Sequence, residues 1–138
     1  MSAQGPPADL IAEFASAGRI LFSLGLVKDA EGNLSVFDGR TLWITRTGAS
    51  LPQIEGADIL AGGMTGDLPD ASTDIEVHRN AYWDRGPGAL AHAHSPGTVP
   101  EGGGGPGEHG VYVFGRTLRE AVEDAVRSVR ETAEGLLR

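Results

Sequence analysis

The hexapeptide ALAHAH at residues 89–94 is the stretch that decides the fold of this chain. It is short and apolar and is bounded by Gly88 and Pro96, which is typical of a buried β-strand. Side chains two residues apart point to the same face of a strand, so His92 and His94 can present two imidazoles to one cation. Taken alone, such a pair fits satisfied polar histidines equally well, so the rest of the chain has to decide.

Downstream of this strand, residues 111–114 form a second apolar run that predicts another strand of the same sheet. His109 opens that strand and could complete a three-histidine site that leaves a fourth position open for substrate. Between them lies PEGGGGPG at residues 100–107, where four consecutive glycines predict a flexible loop. A cupin-type site would need a Glu four or five residues after His94, where this chain has Thr98 and Val99.

Upstream, apolar residues spaced by three and four over residues 7–27 predict an amphipathic helix that covers one side of the sheet. Residues 34–44 predict a β-hairpin around Asp38-Gly39, a dipeptide that favours tight turns. Residues 49–69 are predicted as loop with one short apolar element at residues 57–60.

Two more helices follow from capping signals. Ser72 or Thr73 could cap a helix that begins near Asp74 and ends before Gly86. Thr117 begins a capping box, and helical spacing then continues to Leu137. The sequence thus predicts an α/β fold of the α+β type. It consists of one three-layer domain over residues 1–138, in which helices flank a mainly antiparallel sheet.

Composition limits the function classes. A chain of 138 residues with 40% hydrophobic and 22% charged residues fits one globular domain. Its net charge of −8 disfavours a nucleic-acid partner, and the absence of cysteine leaves His, Asp and Glu as the strong metal ligands. Residues 1–27 lack a basic leader and a bilayer-length apolar run, so we expect no membrane association and a cytoplasmic location.

Three polar turns are candidate anion sites, in addition to their ordinary role in forming turns and helix caps. Residues 32–35 and 45–48 stand at the two ends of the predicted hairpin, which brings them together. Residues 72–74 add hydroxyls and a carboxylate at a helix N-terminus, where unpaired amides favour an anion. His78 lies one turn after Asp74 and is predicted to form hydrogen bonds beneath the site rather than to ligate a metal.

Read in order, these segments resemble the class II aldolase/adducin family. The matching segments are Gly32-Asn33-x-Ser35, Thr45-x-Thr47-Gly48, Ser72-Thr73-Asp74 with His78, His92-Ala93-His94-Ser95-Pro96, and His109-Gly110-Val111 with Phe114-Gly115. They span most of the chain, from about residue 10 to residue 135. Together and in the family's order, these motifs are far more specific than any one of them.

The resemblance implies a lyase that depends on a divalent metal, most simply Zn²⁺, and cleaves or forms a carbon–carbon bond in a phosphorylated sugar or small hydroxy-carbonyl compound through an enediolate. It implies His92, His94 and His109 as metal ligands and Asp74 as the catalytic acid and base. It also implies substrate or phosphate binding by Gly32, Asn33, Thr47, Gly48, Ser72 and Thr73. The only lysine is Lys28, in agreement with chemistry that needs no Schiff base. Self-association, as a homotetramer, is the implied assembly.

Two alternatives stay open from the sequence. A dehydratase or decarboxylase would use the same metal–enediolate chemistry, and the sequence does not separate it from an aldolase. A non-catalytic, adducin-head-like assembly or ligand-binding module is favoured by two departures from the family. Asp74 stands where the aldolase has the longer Glu, and the segment between His94 and His109 is reduced to the glycine loop.

Overall fold

A computed structural model describes residues 5–94 and 110–136 of the chain. Its core is a five-stranded, fully antiparallel sheet with strand order β3-β2-β1-β4-β5. In chain order the elements are α1 Ala8–Ser23, β1 Asn33–Phe37, β2 Leu42–Thr45, β3 Ile59–Gly62, α2 Ile75–Arg85, β4 Gly88–His94, β5 Gly110–Gly115 and α3 Leu118–Leu136. The predicted α+β class with an antiparallel sheet is confirmed.

Helices cover both faces of the sheet and make three layers. On one face, Phe14 and Leu21 of α1 and Val122 of α3 pack against Leu34 and Ala91. On the other face, Tyr82 of α2 packs with Leu42, Ile44 and Leu90. Alternation along β4 explains this division, because its alanines point to α1 and α3 whereas Leu90 and His92 point to the α2 face.

Helix α1 forms as its periodicity predicts, but it ends four residues before the predicted end at Val27. Its last residue is Ser23, and the Leu24 and Gly25 amides close the final turn on Ile20 O and Phe22 O. Gly25 then takes φ +74°, a left-handed conformation that stops the helix. Leu24, whose spacing from Leu21 predicts a place on the apolar face of this helix, lies beyond the helix end and is 51% exposed.

The hairpin and the last helix form as predicted. Asp38 Oδ1 accepts the amides of Arg40 and Thr41, and Gly39 takes φ +96° in the turn. Thr117 Oγ1 accepts the Glu120 amide at 3.1 Å, as a capping box requires. In a capping box the Glu120 carboxylate would accept the Thr117 amide. Here it accepts the amide of Arg116, which is one residue earlier.

Two details of the prediction need correction. Residues 49–69 are predicted to be mainly loop, but they contain the edge strand β3 at Ile59–Gly62, which pairs with β2. The N-cap residue of α2 is Asp74 and not Ser72 or Thr73. Ser72 Oγ instead accepts the Asp74 amide at 3.2 Å, which fixes the loop just ahead of the helix.

Some predictions fall outside the described part of the chain. These are the glycine loop at residues 100–107, His109 and the side chain of His94, whose backbone ends β4. The assignment of residues 1–138 to a single domain stays a prediction. None of the described helices is long and apolar enough to cross a membrane.

Candidate functional site

The candidate site lies on the α2 face of the sheet, where β1 and β4 pair. Asn33, the first residue of β1, is directly opposite His92 of β4 in the antiparallel register. Both residues are buried, and both side chains lie on the face that α2 covers. Two residues that are 59 positions apart in the chain are thereby held within 3.3 Å, measured from Asn33 Nδ2 to His92 Nδ1.

Asp74 joins these two residues from the N-terminus of α2. Its Oδ2 accepts the Asn33 side-chain amide at 2.8 Å and lies 3.1 Å from His92 Nδ1. Hydrogen bonds to a carboxylate favour its charged form. Although burial opposes the shift, the hydrogen bond from Asn33, the nearby Tyr112 hydroxyl and the charge of His92 hold the pKa of Asp74 below its ordinary value. The site therefore presents an ionised carboxylate at neutral pH.

His78 lies one turn along α2 from Asp74 and connects to Asn33 from the opposite side. Its Nε2 is hydrogen-bonded to Asn33 Oδ1, and its Nδ1 lies 2.5 Å from Ser35 Oγ. Ser35 Oγ lies in turn 2.7 Å from the Tyr82 hydroxyl. Burial lowers the pKa of His78 to about 3, so the imidazole is neutral at physiological pH. The prediction that His78 forms hydrogen bonds beneath the site agrees with this geometry.

Tyr112 of β5 completes the described part of the site. It is the direct register partner of His92, and the two rings stack with centroids 4.0 Å apart and planes 12° apart. Burial raises the pKa of the Tyr112 hydroxyl, and the charge of Asp74 beside it raises this pKa further. The hydroxyl therefore stays protonated and can donate to the carboxylate.

The roles of Ser35, Tyr82 and Tyr112 in this network do not follow from the sequence pattern. The sequence pattern places Ser35 only in a polar turn and both tyrosines on ordinary element faces. Tyr112 could have been found from alternation, because it lies two residues before Phe114 on a strand predicted to adjoin His92. Its register with His92, however, depends on where the intervening loop ends.

The structure brings the predicted anion-binding segments to the same end of the sheet. The Leu34 amide donates to Thr45 Oγ1 at 3.2 Å, so the segments beginning at Gly32 and Thr45 are in contact. Thr47 donates its amide to Asp70 O and its hydroxyl to Ala71 O, which joins the second segment to the loop before Ser72. Gly48 takes φ +77°, and Thr73 is exposed at the loop surface.

Arg46 is the one cationic side chain within these polar turns. Its Nε donates to Asp58 Oδ1 at 2.8 Å, and its Nη1 donates to Thr47 O. The guanidinium charge is therefore neutralised within the protein. Any anion here would be held by backbone amides and hydroxyls, as the negative net charge already required.

Of the three predicted metal ligands, only His92 has a described side chain. Among residues 5–94 and 110–136, no group of three His, Asp or Glu side chains is arranged to hold a metal ion. The donor chemistry of His92 fits a cation. When Asp74 accepts the Nδ1 proton, Nε2 becomes the basic nitrogen, and a carboxylate on the second ring nitrogen is the usual partner of a metal-ligating histidine.

Comparison with known proteins decides the family. The sequence profile of the Class II Aldolase and Adducin N-terminal domain matches residues 12–100, more than half of the chain. This chain belongs to the class II aldolase/adducin family. The matched range includes all predicted site residues except His109, and it contains every part of the network around Asp74 except Tyr112.

Two relatives of this family member carry the name L-fuculose phosphate aldolase. That of Methanococcus maripaludis is 28% identical over 88 residues, which cover 62% of this chain and 49% of the relative. The crystal structure of L-fuculose-1-phosphate aldolase from Thermus thermophilus has 36% identity and a TM-score of 0.59, covering 64% of this chain and 48% of that one. The chain thus spans about half the length of these relatives.

A third comparison concerns the fold alone. YgbL from Klebsiella pneumoniae superposes with a TM-score of 0.71 at 23% identity, covering 94% of this chain and 88% of that chain. The fold described above is therefore shared over most of the length of that chain.

Proposed function

We propose that this chain is a metal-dependent aldolase-type lyase that acts on a phosphorylated sugar or a related small hydroxy-carbonyl compound. The observation that carries the proposal is the ionised Asp74 carboxylate held at 3.1 Å from His92, within the segment that matches the family. A fixed carboxylate beside a candidate metal ligand is a pairing that can support enolisation next to a carbonyl.

Each residue has a distinct task in this proposal. In the cleavage direction Asp74 takes up the proton of a substrate hydroxyl, the carbon–carbon bond breaks, and an aldehyde leaves. The electron pair of that bond stays on the other fragment as an enediolate, which Asp74 then protonates at carbon. His92, with His94 and His109, would hold a divalent cation such as Zn²⁺, which supplies Lewis-acid stabilisation of the negative oxygens. Tyr112 covers one face of His92 and limits the directions in which the ring can turn.

Substrate phosphate would be bound where the polar turns meet, at Gly32, Asn33, Thr47, Gly48, Ser72 and Thr73. The hydrogen bonds from Thr47 to Asp70 O and Ala71 O join the segment at residues 45–48 to the loop before Ser72 and support this placement. Because they use the amide and the hydroxyl of Thr47, these bonds would have to be exchanged for bonds to the phosphate. The side chain of Asn33 is already engaged with Asp74 and His78, so Asn33 would contribute mainly through its backbone.

A dehydratase is the second candidate, and one specific observation favours it. A Nocardia farcinica protein named as a probable bifunctional methylthioribose-1-phosphate isomerase/methylthioribulose-1-phosphate dehydratase is 28% identical over 91 residues, which cover 62% of this chain and 16% of that protein. Both candidates need a group that takes up and returns a substrate proton, and Asp74 can serve either. In the aldolase a hydroxyl loses its proton as a carbon–carbon bond breaks, whereas in the dehydratase the carbon next to the carbonyl loses its proton and a carbon–oxygen bond then breaks with loss of water.

The first experiment measures metal content and then proton exchange. The purified chain should bind one zinc per chain at micromolar supply, and the His92→Ala variant should lose this binding. The zinc-loaded chain should exchange a carbon-bound proton of dihydroxyacetone phosphate with D₂O, as followed by NMR. A native chain that binds no zinc would overturn both enzyme proposals and favour a non-catalytic assembly or ligand-binding module.

We further propose that residues 1–138 form a single domain that assembles as a homotetramer in the cytoplasm and acts in carbohydrate metabolism. Light scattering on the protein as it elutes from a size-exclusion column measures the mass of the assembly directly. A monomeric mass at working concentration would contradict this part of the proposal.

A further inference from the structure

We propose that His78 is a positioning residue. It fixes the orientation of the Asn33 amide and, through Asn33, determines which oxygen of Asp74 carries the transferred proton. The inference rests on the proposed role of Asp74 as the acid and base. It extends that role to a chain of buried groups that ends at Tyr82, which lies on the same helix as His78.

The carboxylate of Asp74 determines the direction of the first hydrogen bond. An ionised carboxylate only accepts, so the Asn33 group that lies 2.8 Å from Asp74 Oδ2 has to be the NH₂. The Asn33 oxygen then faces His78, whose Nε2 must carry a proton in order to donate to it. The charge on Asp74 thus specifies one tautomer of His78.

The tautomer of His78 in turn sets the direction of the next two hydrogen bonds, from Ser35 and from Tyr82. A neutral imidazole that is protonated on Nε2 can only accept at Nδ1, so the Ser35 hydroxyl donates to it across 2.5 Å. The Ser35 oxygen then accepts the proton of the Tyr82 hydroxyl at 2.7 Å. Every donor therefore points from Tyr82 toward Asp74.

Burial makes this direction hard to reverse. Ser35 and His78 are fully buried, and Asn33 and Tyr82 are 6% and 2% exposed, so water has little access to a misdirected group. If the Asn33 amide turned over, its oxygen would face the carboxylate and its NH₂ would face a protonated ring nitrogen. Both contacts would be repulsive, and His78 would have to change tautomer as well.

The fixed amide also distinguishes the two oxygens of Asp74. Oδ2 accepts from both Asn33 and His92, so it has little capacity left for a proton. A proton that Asp74 removes from substrate would therefore be carried on Oδ1.

The tautomer can be read without any metal, substrate or activity. A long-range ¹H–¹⁵N spectrum of the ¹⁵N-labelled native chain, with the His78 signals assigned by their loss in His78→Gln, reports which ring nitrogen carries the proton. We expect the neutral form protonated on Nε2. A ring protonated on Nδ1, or a mixture of the two tautomers, would overturn the inference even if the chain proves to be an active lyase.

A pair of variants tests positioning against simple structural support. His78→Gln keeps a donor and an acceptor, whereas His78→Leu keeps neither. In the proton-exchange assay we expect His78→Leu to lower kcat about 10- to 100-fold with KM changed less than about threefold, and His78→Gln to recover most of the loss. Equal losses in both folded variants, or a loss confined to KM, would contradict a positioning role.

The two readouts separate the inference from the proposed function. If the native chain shows no proton exchange, the proposed function fails, and the tautomer measurement still decides the direction of the hydrogen-bond chain. If exchange occurs but His78 is protonated on Nδ1, the proposed function stands and the positioning inference is wrong.

Discussion

Asn33 and His92 face each other across β1 and β4, and their side chains meet on the same oxygen of Asp74. Neither strand can shift relative to the other without separating this pair, because a slip of one residue would turn one of the side chains to the opposite face. The sheet register therefore brings Asn33 and His92 together, and the N-terminus of α2 places the Asp74 carboxylate against both side chains.

The first prediction concerns Gly32, which precedes Asn33. It takes φ +81°, and an added Cβ would lie 2.7 Å from the His92 carbonyl oxygen and 2.8 Å from Val27 Cγ1. Gly32→Ala should therefore lower the free energy of unfolding by more than about 2 kcal/mol, since backbone strain adds to a steric clash. Urea unfolding measures the loss.

Gly25 provides a matched control for this change. Its φ is +74°, and an added Cβ would meet no atom within 4 Å. Gly25→Ala should lower the free energy of unfolding by only about 1 kcal/mol, which is the cost of placing alanine in a left-handed backbone conformation. Similar losses in the two variants would show that the close approach of Gly32 to β4 is not important for stability.

The second prediction concerns the pH dependence of stability. Burial depresses the pKa of His78 from its ordinary 6.5 to about 3, so below pH 6.5 the unfolded chain binds a proton that the folded chain does not. This contribution therefore lowers stability as the pH falls through 6.5 toward 3. The loss is on the order of 1 kcal/mol per pH unit.

The His78→Gln variant isolates this effect. Urea unfolding at pH 7.5 and pH 5.5 should show that the native chain loses on the order of 1 kcal/mol more than the variant. The depressed pKa of Asp74 acts in a different window, because its stabilising effect is lost only as the pH falls below about 3.8. Equal pH dependence in both proteins would mean that folding does not depress the pKa of His78.

The third prediction concerns the Tyr82–Ser35 hydrogen bond. Tyr82→Phe keeps the ring against Phe37 and Phe114, whose centroids lie 5.4 and 6.0 Å away, and removes only the hydroxyl. The expected loss of unfolding free energy is about 1 kcal/mol, because a buried hydrogen bond is lost without a large cavity.

Ser35→Ala and the double variant complete a mutant cycle for this pair. The losses of unfolding free energy in the two single variants, added together, should exceed the loss in the double variant by about 1 kcal/mol. The reason is that either substitution alone breaks the same hydrogen bond. Strict additivity would show that the two hydroxyls do not interact in solution. Thermal or urea unfolding of the four proteins is sufficient for the comparison.

Much of the fold could be predicted because the relevant signals are local. Asp38-Gly39 specifies its own turn through side-chain and backbone preferences, and Thr117 caps α3 within its first turn. Strand β4 is recognisable as a buried apolar run between Gly88 and Pro96. In each case the deciding contacts lie within a few residues along the chain.

The features that were missed depend on distant contacts. Strand β3 is only four residues long and ends in Gly62, so it is stabilised mainly by pairing with β2 and shows little pattern of its own. The register of Tyr112 with His92 and the path from Tyr82 through Ser35 to His78 connect separate elements. Such contacts follow from the sheet register, which spacing along one sequence does not specify.

The most direct test of the proposed chemistry is the rate of solvent proton exchange into dihydroxyacetone phosphate, measured for the zinc-loaded native chain and for Asp74→Asn. The substitution keeps the size of the side chain and removes its ability to take up a proton. We predict exchange by the native chain and a rate at least about 100-fold lower for Asp74→Asn with zinc still bound. Equal exchange by the two metal-loaded proteins, or none by the native chain, would contradict the assignment of Asp74 as the acid and base.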